Sequence, residues 1–196
     1  MRRALAKAHV TVVAVDDGAF RRTDARAPIA AVVCAGAERV VGVSIGSVAV
    51  DGDDATGRIA ALVRAAPDRV GLRAVLVDGI AMGGFNVLDL DRLHDAVGLP
   101  VVSVTRRRPD AAKIAAAIRT YFPRDAARRL ARLRAHRLFP VPTAARPILA
   151  AVVGASRTDA IRLVARLTVQ GHWPEPLRLA HLVARAVGLR DARTNA

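Results

Sequence analysis

The stretch RAVLVDGIAMGGFNVLDLDRLHDAVGLPVVSV (residues 73–104) decides the fold. Arg73–Val77 reads as a buried, β-branched strand, and Asp89–Val97 as an amphipathic helix closed by Gly98. Pro100–Val104 is a second buried strand. Strand, helix and strand in this order predict a βαβ crossover, whose parallel strands are covered on both faces.

Toward the N-terminus, Val10–Val15 is an apolar run closed by Asp-Asp-Gly, and Ile29–Ala35 and Val40–Val50 are further strand-like runs around an Ala-Gly-Ala-Glu turn at 35–38. Three strands with short links predict an antiparallel meander. Asp53 or Asp54 then opens a helix in which Ile59, Leu62 and Val63 recur at helical spacing, ending near Pro67.

Toward the C-terminus, Pro109 starts a helix running to Tyr121, and Asp125 caps a basic helix to about Leu138. Pro140, Pro142 and Pro147 mark a connection, Ile148–Val153 a last strand, Ser156 the cap of a helix through Leu167, and Pro174 and Pro176 the start of a final helix through Val187. The order is an antiparallel meander followed by βαβ units, a mixed α/β sheet flanked by helices and wired in the ribonuclease H-like manner. One domain over residues 1–196 is the expectation at this length.

Lys and Arg total 31 against 17 Asp and Glu, a net charge of +14, which favours a polyanionic partner, nucleic acid before membrane surface. Lys7 and Lys113 are the only lysines. Arg2, Arg3 and Lys7 precede an apolar run too short for a signal peptide, and no apolar stretch reaches the roughly 20 residues a membrane helix needs. The one cysteine, Cys34, lies in an apolar run without a disulfide partner. A cytoplasmic protein that does not enter membranes is expected.

Asp16 and Asp17 follow the first strand, and Asp78 follows the central parallel strand. If those strands are neighbours, Asp16 and Asp78 converge, and two carboxylates are enough to begin a Mg²⁺ site completed by water and phosphate. An aspartate after a strand is also an ordinary turn residue. The segment VDGDDAT (50–56) adds Asp54 as a candidate third carboxylate, with Asp51 the alternative. Arg106, Arg107 and Arg108 leave the strand Pro100–Val104 at the same sheet edge, where a cation could grip a scissile phosphate.

Arg128, Arg129 and Arg132, among six arginines between Arg124 and Arg137, suit a phosphate track, although a charge run also forms an ordinary solvated face. Gly83, Gly84, Phe85 and Asn86 form a glycine-rich loop that could approach a base or phosphate, or simply make a tight turn. It matches neither a dinucleotide fingerprint nor a P-loop, so no organic cofactor is expected. The histidines show no zinc spacing, and no serine-nucleophile elbow is present.

The segments AVDDGAF (14–20), VDGDDAT (50–56), LVDGIAMGGFNVLDL (76–90), GLPVVSVTR (98–106) and PEPLRLAHL (174–182) resemble the archaeal endonuclease dU family, in order and over almost the whole chain. That family resembles endonuclease V. The resemblance implies a ribonuclease H-like fold and a nuclease dependent on Mg²⁺, with Mn²⁺ as a substitute, that nicks DNA at deaminated bases, deoxyuridine in particular, in DNA repair. Asp16 and Asp78 match the metal-binding aspartates, and Arg106 stands where endonuclease V carries a lysine. Asp54 or Asp51 must stand in for a glutamate, and the tyrosine- and proline-containing wedge that probes the lesion has no counterpart. A non-catalytic nucleic-acid-binding protein and a nucleotide-binding metabolic enzyme are the alternative classes.

Overall fold

A computed structural model describes residues 10–194, with side chains described as far as Leu189. Arg2, Arg3 and Lys7, read above for a leader, lie outside the described residues. Strands β1 (Thr11–Asp17), β2 (Arg26–Ala35) and β3 (Arg39–Ala49) form the expected antiparallel meander. Helix α1 (Ala55–Arg64), β4 (Leu72–Asp78), a hairpin of β5 (Ala81–Met82) and β6 (Asn86–Val87), α2 (Leu90–Val97) and β7 (Val101–Thr105) follow. Helices α3 (Ala111–Tyr121) and α4 (Ala126–Arg134), strands β8 (Phe139–Val141) and β9 (Ile148–Val153), and helices α5 (Arg157–Leu167) and α6 (Glu175–Thr194) complete the order.

Seven strands form one sheet in the order β3-β2-β1-β4-β7-β9-β8, and β1, β4 and β7 are mutually parallel. Period-2 alternation divides the core. Val13, Val15, Val75 and Val77 pack with Ile59 of α1 and Leu93 of α2, whereas Val12, Ala14, Ala74 and Leu76 pack with Leu163 of α5 and Leu177 of α6. Both faces are therefore dry, which explains why Val12–Val15 and Ala74–Val77 are apolar at every position. This is an α/β mixed sheet of ribonuclease H-like type. Cys34 is buried beneath α6 as core filler, and burial pushes its thiol up to about 11.

Three elements differ from the sequence reading. The proline-rich connection contains β8, whose Pro140 is accommodated because β8 is an edge strand. The basic helix stops at Arg134, short of Leu138, because Phe139–Val141 pairs with β9. Strand β9 runs antiparallel to β7, so the chain after β7 does not complete another parallel βαβ unit. Among the described residues no helix is long and apolar enough to cross a membrane.

Candidate active site

The register of the parallel strands places the first two acids. Val15 pairs with Val77, so Asp16 and Asp78 follow one residue later on adjoining strands. Alternation from Ala14 and Leu76 puts both on the face covered by α6, and Asp17 on the opposite face. Each side chain's partner agrees. Nδ1 of His181, from α6, lies 2.8 Å from Oδ2 of Asp16, while Asp17 Oδ2 accepts from Gly83 N at 2.7 Å on the hairpin side.

Asp16 is 4% exposed. Burial, then the negative charges of Asp78 and Asp17, push its carboxyl up to about 8. Burial likewise raises Asp17 despite the bond from Gly83, and raises Asp78 despite the opposing guanidinium of Arg106. Asp16 and Asp78 thus share one largely buried strand end, with Asp17 behind them on the other sheet face, and a cation between the first two would offset the cost of ionising them.

Close packing delivers His181. A Cβ on Gly18 would lie 2.0 Å from the Ala184 carbonyl oxygen, and one on Gly188 would lie 2.3 Å from that of Ala19. Glycines at both positions let α6 rest directly on the chain leaving β1. On the other flank, Arg106 Nη1 donates to Asp78 Oδ2 at 3.2 Å, and its guanidinium lies 3.8 Å from the centre of the Trp173 ring.

Asp54 and Asp51 face elsewhere. Asp54 precedes α1 but makes no capping bond there. Its Oδ1 accepts from Ala49 N at 2.9 Å and Asn86 Nδ2 at 2.8 Å, and its Oδ2 pairs with Arg26 and Arg58. Burial opposes its ionisation, yet the bonds from Ala49, Asn86 and Arg58 prevail and hold it below the usual carboxylate range. Asp51, at φ 54°, accepts from Phe85 N through Oδ1 at 2.8 Å and donates its N–H to Gly83 O. These acids brace the hairpin turn, and Asp17 is the acid that neighbours Asp16.

The turn itself uses positive φ at Gly83 (56°) and Gly84 (90°). Asn86 is fully buried: Oδ1 accepts from Ala55 N, and Nδ2 donates to Ala49 O and Asp54 Oδ1. Buried, with both Nδ2 hydrogens taken and Oδ1 turned to α1, it does not face a base in this structure, unlike the expectation for this loop. Gly83 is also buried, whereas Gly84 is exposed and Phe85 partly so.

Among the arginines expected to form a phosphate track, Arg129 is turned inward. Arg129 is 5% exposed, bonded to Asp125 Oδ2, Asp51 O and Phe85 O, with its guanidinium over Phe122. Arg132 reaches Asp53 and Val87 O, and Arg128 reaches Asp53 and Asp125. Arg129 in particular is an internal strut, unavailable to a phosphate. Arg107 and Arg108 are exposed.

Beside Gly79, a cavity of about 460 Å³ is lined by Ile80, Phe85, Ser103, Ile114 and His136 among others. A larger one of about 620 Å³ lies around Ala35–Arg39 and Val169, toward the opposite end of β1 from Asp16, where Thr11 pairs with Ala35.

Reading the sequence alone left out His181 and Trp173 and gave Asp17 no role. His181 lies inside the quoted PEPLRLAHL segment, but nothing in helical spacing says which strand end it meets.

The family profile described as Endonuclease dU matches residues 8–188. The UPF0215 protein of Methanopyrus kandleri is 38% identical over 193 residues, covering 97% of each chain, and that of Thermococcus gammatolerans is 38% identical over 185 residues, covering 92% of this chain and 93% of its own. Among solved structures, a protein of unknown function from Archaeoglobus fulgidus superposes with a TM-score of 0.81 at 29% identity, covering 90% of this chain and 97% of that one. Human endonuclease V superposes at 0.63 with 20% identity, covering 97% and 90%, a likeness of fold. By sequence match over nearly its full length, this chain belongs to the endonuclease dU family.

Proposed function

We propose that this chain is a divalent-metal-dependent endonuclease that hydrolyses DNA phosphodiester bonds near deaminated bases, deoxyuridine foremost, as a cytoplasmic DNA-repair enzyme with one catalytic domain. Family membership and the endonuclease V-like fold support a nuclease acting on DNA. A solved endonuclease V from Ciona intestinalis is in complex with DNA containing an inosine. The observation that carries the reading is the placing of Asp16 and Asp78 side by side on β1 and β4, their carboxyls both raised by burial.

Among the described residues no three His, Cys, Asp or Glu side chains already form a ligand cluster. Two carboxylates nevertheless fit Mg²⁺, or Mn²⁺ in its place, because such ions take hard oxygen donors and keep water and substrate phosphate as further ligands. Asp16 and Asp78 would hold the ion, which when bound supplies Lewis-acid stabilisation at phosphate and a more acidic water. His181 fixes the orientation of the Asp16 carboxylate through their 2.8 Å contact. Arg106 would exchange Asp78 for the scissile phosphate, and Arg107 and Arg108 would meet the flanking backbone. Gly84 and Phe85 would contact an extruded base entering the 460 Å³ cavity beside Gly79.

The test incubates the protein with Mg²⁺ or Mn²⁺ and labelled duplexes carrying uracil, hypoxanthine or no lesion, beside Asp16→Asn and Asp78→Asn. Nicking of the uracil duplex that both variants lose is expected. No nicking of any duplex would defeat the nuclease reading in favour of a non-catalytic DNA-binding protein, and full activity in the variants would defeat the assignment of the acids.

A further inference from the structure

Three consecutive arginines leave β7, and the structure treats them differently. The side chains of Arg107 and Arg108 have no partner among the described residues and stand in solvent. Arg106 is held twice, by Asp78 Oδ2 at 3.2 Å and by the face of Trp173, 3.8 Å from its guanidinium carbon.

Trp173 is itself fixed. It lies in the connection between α5 and α6, is 7% exposed, and belongs to the apolar layer containing Leu163, Leu167 and Leu177. Its Nε1–H is buried without an acceptor among the described residues. An unpaired buried N–H costs stability, and a phenyl ring would avoid that cost. What tryptophan supplies beyond phenylalanine is the ring face that attracts a cation most strongly. Its contact with Arg106 is the interaction here that an indole face serves better than a phenyl one.

We propose that Trp173 is a positioning residue of the site: its ring holds the Arg106 guanidinium at the edge of Asp78, so that the cation is already in place for phosphate when Asp78 is engaged elsewhere. This rests on the reading of Arg106 as a phosphate-binding residue. An arginine tethered only to Asp78 would lose its anchor when that carboxylate binds something else. One also stacked on a rigid ring keeps its place, and little conformational freedom is lost when phosphate arrives.

The experiment is a double-mutant cycle on affinity for a labelled uracil-containing duplex, measured by fluorescence anisotropy in EDTA, where no cleavage occurs, with Asp78→Ala throughout so that the carboxylate no longer tethers Arg106. Trp173→Leu is expected to weaken binding by about threefold to fivefold, the size of a partly exposed cation–π contact. Trp173→Phe is expected to lose less than Trp173→Leu and to keep the fold, since it retains an aromatic face for Arg106 and gives up no satisfied hydrogen bond, although the smaller ring fills less of the layer. On an Arg106→Met background, Trp173→Leu is expected to cost nothing further.

A merely structural Trp173 would give the same loss on both backgrounds, and that result would overturn the proposal. Trp173 is the sole tryptophan, so its emission reads the stack directly. A shift in Arg106→Met is expected, and unchanged emission would overturn the stack. Coupling without nicking would fail the nuclease reading alone, and nicking without coupling would fail this proposal alone. A wild-type protein that binds no duplex would overturn both.

Discussion

His181 Nδ1 and Asp16 Oδ2 are 2.8 Å apart although 165 residues separate them in the chain. The contact joins the last helix to the first strand, and α6 reaches that position only because Gly18 and Gly188 carry no side chains.

Replacing His181 should therefore act on the site more than on the fold. The His181 side chain is 43% exposed, so His181→Ala is expected to change the melting temperature by no more than a few degrees. Nicking by a correctly folded variant is expected to fall at least about tenfold, as an acid loses its orienting partner. Steady-state nicking assays beside circular dichroism check this, and wild-type rates would remove His181 from the site.

Asp16 should make the metal-free protein sensitive to pH. Its carboxyl is raised from 3.8 to about 8 in the folded state, so between those values the folded protein holds a proton that the unfolded chain has released. By linkage, stability falls as pH rises from about 4 to about 8 and levels above that. Asp16→Asn should flatten this decline and raise the melting temperature near pH 8 while abolishing nicking. At this chain length each kcal/mol regained is worth about 2–4 °C. Mg²⁺ should stabilise the wild type more at pH 8 than at pH 5. Thermal scans in EDTA and in Mg²⁺ test both statements.

Gly18→Ala should displace α6. The new Cβ would meet backbone, the Ala184 carbonyl at 2.0 Å, so a side-chain rotation cannot relieve the clash. A loss of about 1–3 kcal/mol is expected, as for other overpacked sites. Nicking should fall more than it does in a surface variant of equal stability, because His181 moves with the helix. Denaturant titration paired with activity provides the check.

The arginines should separate into struts and phosphate-binding groups. Arg129→Met leaves Asp51 O and Phe85 O without their donor and is expected to cost about 1–3 kcal/mol. Arg107→Ala and Arg108→Ala should leave stability within about 0.5 kcal/mol. Each should reduce the dependence of log affinity on log salt by about 0.9 for every phosphate the protein no longer neutralises. Affinity for a duplex measured from 50 to 200 mM salt, as an order-of-magnitude range for such titrations, distinguishes the two groups.

The arginine contrast also marks how far the sequence could be read. RLARLR in α4 shows only that cations recur along a helix. Whether a given guanidinium faces phosphate or a carbonyl depends on where the loops at Asp51 and Phe85 come to rest. The same holds for VDGDDAT. Three acids before a helix are visible in the sequence, but the accepting bonds that turn Asp54 toward Ala49 and Asn86 exist only once the hairpin has packed against it.

The mixed sheet, and the positions of Asp16 and Asp78 at the ends of its strands, are legible in local sequence patterns. Apolar runs of strand length, a βαβ unit in residues 73–104, and aspartates one residue beyond Val15 and Val77 are local patterns that survive without knowledge of contacts. Most of what surrounds those acids comes from long-range packing. Asp17 lies on the opposite sheet face, while His181 and Trp173 arrive from elements far along the chain. Their convergence is set by strand register and by how closely α6 approaches the sheet, which are properties of packing rather than of any one segment.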